Sequence, residues 1–394
     1  MKKGRGLSLK KAKKAMLIGL TLSLLSLSSC GSLGQDSVSR FSLSYEGSFD
    51  TVLTITGFAD NAEEFRRMAE LAQSEFERLD KLFDIYSLYS IDGEKLESLE
   101  DAEKAGLELF PNLAYINARA KDEPVKTEPE IIELLEYGKD IYALTGGRVN
   151  IAMGSVLSLW HDAREGRYLP ESAALREAAE HRSIESLILD EAESTVYFQD
   201  QYLKLDVGAI AKGFACERAA KSLEEKGYTG FIVNAGGNIR TNGEKKDGSG
   251  PWVVGLENPD PQGIFSEEGK PLFEGEPYFD TVRASEKDAA GNESPSELAV
   301  ATSGVYQRFF ELNGKRYHHI IDPETLYPAE GYLSVSVIAK DAGTVDALST
   351  ALFNMKEEEG RSLLDKLNNS SSAEKEIISA VWVYPDGSVQ KYGG

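Results

Sequence analysis

The chain has 394 residues, 41% of them hydrophobic, which is enough for one large domain or two modest ones around a buried core. It carries 43 Lys and Arg against 65 Asp and Glu, a formal charge of −22. So acidic a balance excludes nucleic acid as the ligand, because phosphate backbones are gripped by neutralising Lys and Arg.

The first thirty residues address the chain to a membrane. Lys2, Lys3, Arg5, Lys10, Lys11, Lys13 and Lys14 form a basic cap without an acidic residue, followed by a largely apolar run from Met16 to Leu27. That run is far shorter than the ~18–20 residues that span a bilayer, so it reads as a secretion signal. It ends in Leu27-Ser28-Ser29-Cys30-Gly31, which resembles a lipobox. The expectation is a lipoprotein signal over 1–29, lipidation of Cys30, and anchoring on the extracytoplasmic face of a bacterial membrane, where acyl chains hold a protein stably. Loss of the seven basic residues leaves 36 against 65, a formal −29. Residues 30–42, rich in Ser and Gly, are expected to be a flexible tether. Cys216, the second of two cysteines, has no disulfide partner and reads as a small buried thiol on a helix.

From there the elements alternate irregularly. Phe49 to Thr56 is strand-like, and Glu63 to Phe83 carries a helical stripe of Phe65, Met68, Leu71, Ala72, Phe76 and Leu79. Pro129 to Leu144 predicts a helix stopped by Thr145-Gly146-Gly147. Strands are expected at 186–189, 196–198, 202–205, 231–234 and 252–256, with a helix over 211–226 and a Gly-rich loop after Asn234. The acidic, Pro- and Gly-containing stretch 258–297 reads as an irregular insertion. Strands at 305–312, 316–321 and 333–339, a helix over 344–355, then a final helix and hairpin complete an α+β pattern without repeats or a second domain. One domain over 43–394 is therefore expected.

Three segments carry chemistry. Leu205-Asp206-Val207-Gly208-Ala209-Ile210-Ala211-Lys212-Gly213 runs from a strand end through a turn into a helix. Such a turn offers backbone N–H groups and a positive helix end to phosphate, and Lys212 adds a full charge; a solvated Lys at a plain helix start is the alternative. In Asp346-Ala347-Leu348-Ser349-Thr350, the i,i+4 spacing puts the Asp346 carboxylate and the Thr350 hydroxyl on one helical face. Two hard oxygens with room for water and phosphate suit Mg²⁺, although Asp346 also reads as a dipole partner near the helix start. Arg316 to Pro328 holds His318 and His319, half of the chain's four His residues. Neighbours on a strand point to opposite faces, so the two cannot easily share a zinc ion; one is expected to face core or site and the other solvent.

Taken in this order and spacing, the segments resemble the ApbE family of FAD:protein FMN transferases, over about Ser48 to Thr350. Ser48-Phe49-Asp50-Thr51, Phe83-Asp84-Ile85-Tyr86-Ser87, Thr145-Gly146-Gly147-Arg148-Val149-Asn150-Ile151 and Ala301-Thr302-Ser303-Gly304, with Tyr306 and Arg308 beyond, are similar to further family strings. The resemblance implies an α+β core similar to the T-fold, with antiparallel strands and packed helices. It implies FAD contacts from Phe49, Tyr86, Arg148, Val149, Asn150, Asp206, Lys212 and Ile321. It also implies Mg²⁺ held by the Ala209 carbonyl, Asp346 and Thr350, with Ser349 as helper, and His319 beside the reacting phosphate. The implied reaction moves FMN from FAD onto a Thr side chain of an exported or membrane redox protein, releasing AMP. In this mechanism His319 relays the Thr proton, because imidazole titrates near neutral pH. A FAD pyrophosphatase and a non-catalytic FAD-binding lipoprotein would use the same grip. Three positions depart from the family pattern: Asp50 and Leu326 stand where Gly is usual, and Asn150 where Asp is common.

Overall fold

The computed structural model describes residues 38–287, 293–295, 297–369 and 377–393. The expected signal 1–29, Cys30 and most of the tether lie outside the described residues, within which no helix is long and apolar enough to cross a membrane.

An antiparallel sheet of eight strands organises the chain. Its spatial order is Ser39–Ser48, Thr51–Ala59, Phe231–Ala235, Asn238–Asn242, Leu298–Gly304, Ser334–Ala339, Ser379–Val383 and Val389–Tyr392. Side chains alternate across a strand, and both faces of this sheet are used. Leu53, Ile55, Ala299, Ala301, Val335, Val337, Ala380 and Trp382 point into the main core, whereas Phe58, Leu298, Val300 and Val381 point the other way. Helices Ala62–Phe83, Ala211–Glu225 and Ala342–Phe353 pack on the first face. On the second lie Trp252 and a hairpin of Val253–Glu257 with Tyr278–Arg283. This is the α+β arrangement expected from the sequence.

Local chemistry explains the helix ends. Asn61 accepts hydrogen bonds from the N–H groups of Glu63 and Glu64, and Lys81 lies in the last turn, so both ends of the Ala62–Phe83 helix are complemented. Its buried stripe is Phe65, Met68, Ala69, Ala72, Phe76, Leu79, Leu82 and Phe83, with Leu71 only half-buried. The Pro129–Leu144 helix has the bounds the sequence predicts, because Pro starts it and two left-handed glycines end it.

The structure corrects several expectations. The tether does not extend to 42, since Ser39–Ser48 is a paired edge strand with Phe41, Leu43 and Tyr45 packed against the core. Phe49 and Asp50 are not strand residues but the turn of the hairpin, both at left-handed φ (51° and 52°). The stretch 258–277 is irregular as expected, its turn fixed by the buried Asp260 carboxylate, which accepts N–H bonds from Ile264, Phe265 and Ser266 at 2.6–2.8 Å, but Tyr278–Arg283 is a strand. Residues 202–205 form no strand beyond a single bridge at Lys204. The run expected over 305–312 is strand only at Phe309–Leu312, and the expected Gly-rich loop contains a strand, Asn238–Asn242, before it continues as loop from Gly243 to Gly250. Helices Leu113–Arg119, Gly154–Gly166 and Ser172–Ala179 and strand Leu298–Gly304 were not anticipated as elements.

Candidate functional site

Where the hairpin turn, the start of the Ala211–Glu225 helix and the middle of the Ala342–Phe353 helix converge, the surface opens into a cavity of about 380 Å³. Its lining includes Tyr86, Arg148, Val149, Asn150, Asp206, Ala209, Lys212, His319, Ile321 and Thr350, so these ten sequence-selected residues are brought together from segments distant in the chain. Phe49 is not among them. Its ring packs on Phe76 with centroids 4.9 Å apart, and its neighbours Asp50 and Thr51 reach the cavity instead.

The two helices meet at Gly213. Its N–H donates to Asp346 Oδ2 at 2.7 Å, and Lys212 Nζ stands 3.8 Å from Asp346 Oδ1. Asp346 is therefore buried at the first turn of the Ala211–Glu225 helix rather than on the cavity surface. Thr350, one turn on, lines the cavity with its hydroxyl in longer contact with Ser303 (3.3 Å) and the Asp346 carbonyl (3.5 Å), while Ser349 bonds the same two more closely, at 2.8 and 2.9 Å. Glu217 sets this junction from behind: it accepts from the Ala342 N–H and from Arg240, both buried.

A metal ion fits the donors present. Asp346 Oδ1 has only the Lys212 ammonium beyond hydrogen-bond distance, and Thr350 and Ala209 supply neutral oxygens, the hard set that Mg²⁺ takes. Among the described residues no group of three or more His, Cys, Asp or Glu could hold a metal, so a softer site of the zinc type is not built here.

The two neighbouring His diverge: His318 is half-buried and His319 is exposed. His318 turns to Phe353 (centroids 5.7 Å) and bonds the Ala329 carbonyl at 2.8 Å. His319, one residue past the Lys315–His318 strand, opens into the cavity. Partial burial, with Arg308, His318 and Lys212 adding like charge, shifts the His319 imidazole below the ordinary histidine range, away from the neutral titration expected from the sequence and toward the uncharged form.

The family departures have physical reasons. Leu326 sits at φ 65°, which explains why glycine suits the position. A left-handed non-glycine residue costs roughly 1–2 kcal/mol, whereas burying a leucine gains about 1.5–3 kcal/mol. Leu326 is buried beside Trp160, whose indole N–H donates to its carbonyl, so burial offsets the backbone cost. Asn150 uses both ends of its amide, donating to the Arg182 carbonyl and accepting from the Ala152 N–H, each at 2.9 Å. An aspartate could make only the second bond. Asp50 takes its left-handed φ at an exposed tip, 3.6 Å from Arg308.

That tip is held by a strained carboxyl. Asp80 accepts from the Phe49 N–H at 2.8 Å. Burial first, then the nearby Asp84, Asp50 and Glu77, push its pKa up to about 6, against the pull of that hydrogen bond. The folded state thus holds the proton more tightly than the unfolded chain, and stability falls as pH rises from about 4 to about 6. Asp80→Asn keeps an acceptor for Phe49 and removes the charge. Discounted for partial solvent screening, it should stabilise the protein by roughly 1–2 kcal/mol at pH 7 and not at pH 4. Denaturant unfolding at both pH values checks this; a loss of stability at pH 7 refutes it.

His161, Arg164 and Arg308 also line the cavity. Arg308 lies beyond a recognised string, but His161 and Arg164 carried no sequence signal. They sit on the unanticipated Gly154–Gly166 helix, and their partners are far away in the chain.

A model of the ApbE family matches residues 49–373. An FAD:protein FMN transferase of Treponema pallidum is 31% identical over 295 residues, covering 72% of this chain and 73% of that protein. One from Klebsiella pneumoniae is 30% identical over 271 residues, covering 68% and 73%. Among solved structures, the ApbE protein of Thermotoga maritima superimposes with a TM-score of 0.69 at 27% identity, covering 90% of this chain and 97% of that one. The flavin transferase ApbE of Vibrio cholerae, at 22% identity and a TM-score of 0.64, shares the fold.

Proposed function

The chain belongs to the ApbE family, and we propose that it is a magnesium-dependent FAD:protein FMN transferase that modifies a threonine side chain and releases AMP. Flavin transfer is the activity that its relatives carry in their names. The observation that supports the finer reading is the junction at Gly213, where a helix start with Lys212 meets the Asp346 carboxylate beside a cavity.

The bond to be broken is the phosphoanhydride between the two halves of FAD. The acceptor hydroxyl oxygen bonds to the FMN-side phosphorus, the bond to the bridging oxygen breaks, and AMP leaves with the electron pair. Such a transfer needs positioning and charge stabilisation more than covalent help from the protein. Lys212 offsets charge on the pyrophosphate, and the positive end of its helix adds to that field. Asp346, Thr350 and the Ala209 carbonyl would hold Mg²⁺, which supplies Lewis-acid neutralisation of the phosphate oxygens when bound. His319, neutral and open to the cavity, takes the hydroxyl proton.

The sequence supports export and a lipid on Cys30, which would place the reaction at the extracytoplasmic face, where an exported or membrane redox protein is the acceptor. Incubation with FAD and magnesium, with and without a threonine-containing acceptor domain, tests the reaction. We expect a covalently fluorescent acceptor and equimolar AMP. Free FMN and AMP with the acceptor unlabelled would make the protein a pyrophosphatase, and intact FAD would leave only binding.

His319→Ala should slow single-turnover transfer by about 10²-fold or more. Because a lowered pKa keeps a base unprotonated at lower pH, wild-type transfer should persist as pH drops through 6.5 and fail only below it. A wild-type rate in the variant, or an acid limb centred at 6.5, would remove His319 from the role.

A further inference from the structure

Tyr86 is 68% exposed, yet its ring stands at the cavity wall rather than swinging in solvent. Two devices hold it. The backbone is fixed by Asp84, whose Oδ1 accepts from the N–H groups of Tyr86 (2.7 Å) and Ser87 (3.1 Å) and whose Oδ2 accepts from the Tyr89 hydroxyl (3.0 Å). The phenol is fixed by His161: Tyr86 Oη lies 2.9 Å from Nδ1, and the ring centroids are 5.4 Å apart at 45°.

His161 Nε2 lies 3.3 Å from the same hydroxyl and 4.0 Å, beyond hydrogen-bond distance, from Asp206 Oδ2, while Asp206 Oδ1 accepts from the Gly208 N–H at 2.9 Å. The helix that carries His161, Gly154–Gly166, starts against the same segment, with the Gly154 N–H donating to the Lys204 carbonyl at 3.0 Å. The segment 204–208 thus both meets the start of the helix that carries the imidazole and supplies the nearby carboxylate. Tyr86, His161 and Asp206 all line the cavity.

From this geometry we infer that His161 is a positioning residue: by holding the phenol of Tyr86, it presets that ring as a platform for a planar aromatic ligand, here the isoalloxazine of FAD. The inference rests on the reading of FAD as the substrate. An exposed tyrosine without its anchor must be ordered when ligand binds, and immobilising such a side chain weakens binding by about three- to tenfold. The cost falls on ground state and transition state alike, so it appears in KM and not in kcat.

The test is a double-mutant cycle on the purified protein, read as the dissociation constant of FAD from flavin fluorescence, without acceptor, and as KM and kcat with it. His161→Ala and Tyr86→Phe should each weaken FAD by the same three- to tenfold, and the double variant by no more than either alone. His161→Gln, which keeps a hydrogen-bonding group, should recover most of the affinity. In ligand-free crystals of His161→Ala, the Tyr86 ring should lose its single position. Factors that multiply in the double variant would show His161 touching FAD on its own account, and unchanged affinity in His161→Ala would show that the anchor is idle; either overturns the inference. Wild-type protein that fails to bind FAD at all would instead overturn the functional reading beneath it.

Discussion

Asp346→Ala is expected to lower FMN transfer by at least about 10²–10³-fold, the scale on which removal of one preorganised charge-stabilising group is felt. Its carboxylate is the single anionic member of the proposed donor set. The substitution also leaves the buried Gly213 N–H without its acceptor, at about 1–3 kcal/mol, so an inactive variant alone would not separate chemistry from folding. Asp346→Asn separates them. It retains an oxygen for Gly213 and loses the charge, and should keep a wild-type Tm while transferring as poorly as the alanine variant. Transfer rates across a magnesium titration, with thermal melts, decide the matter. Either variant working at the wild-type rate and the wild-type magnesium requirement would refute the metal assignment.

Gly213→Ala is expected to damage both stability and activity. Exchange of glycine for alanine inside a helix ordinarily gains roughly 0.5–1 kcal/mol. Here a Cβ would stand 2.3 Å from the Asp346 Cβ and 2.4 Å from the Ala342 carbonyl oxygen. One of those atoms is backbone and cannot step aside, so the two helices must separate. Overpacking of this kind costs about 1–3 kcal/mol, which outweighs the propensity gain and reverses the sign. Moving Asp346 away from the Lys212 turn should also weaken magnesium dependence and slow transfer at temperatures where the variant is still folded. Urea unfolding and single-turnover transfer measure the two effects; a variant more stable than wild type would show that the helices are not in such close contact.

The elements legible in the sequence were those whose cause is local. The Phe65-to-Leu79 stripe and the Pro129 start with its Thr145-Gly146-Gly147 stop specify their helices without help from the rest of the chain. Leu298–Gly304 was not legible, because it is buried among neighbouring strands and reads as small and apolar on both faces. Ser39–Ser48 hid for the opposite reason: exposed serines alternate with Phe41, Leu43 and Tyr45, which are only half-buried on an edge strand, and its first residues fall in the Ser- and Gly-rich stretch expected to be tether. Lys212 and Asp346 stood out because each lies in a compact motif. His161 did not, since its partner Tyr86 is 75 positions away and only the folded chain brings the two within 2.9 Å.

The edge strand Ser39–Ser48 is ten residues long and ends at the Phe49–Asp50 tip that borders the cavity. At about 3.3 Å per residue it is a strut of roughly 30 Å. Between Ser39 and that tip the chain is held by hydrogen-bonded sheet, so the strand fixes how far the cavity mouth stands from the point where the described chain begins its first strand.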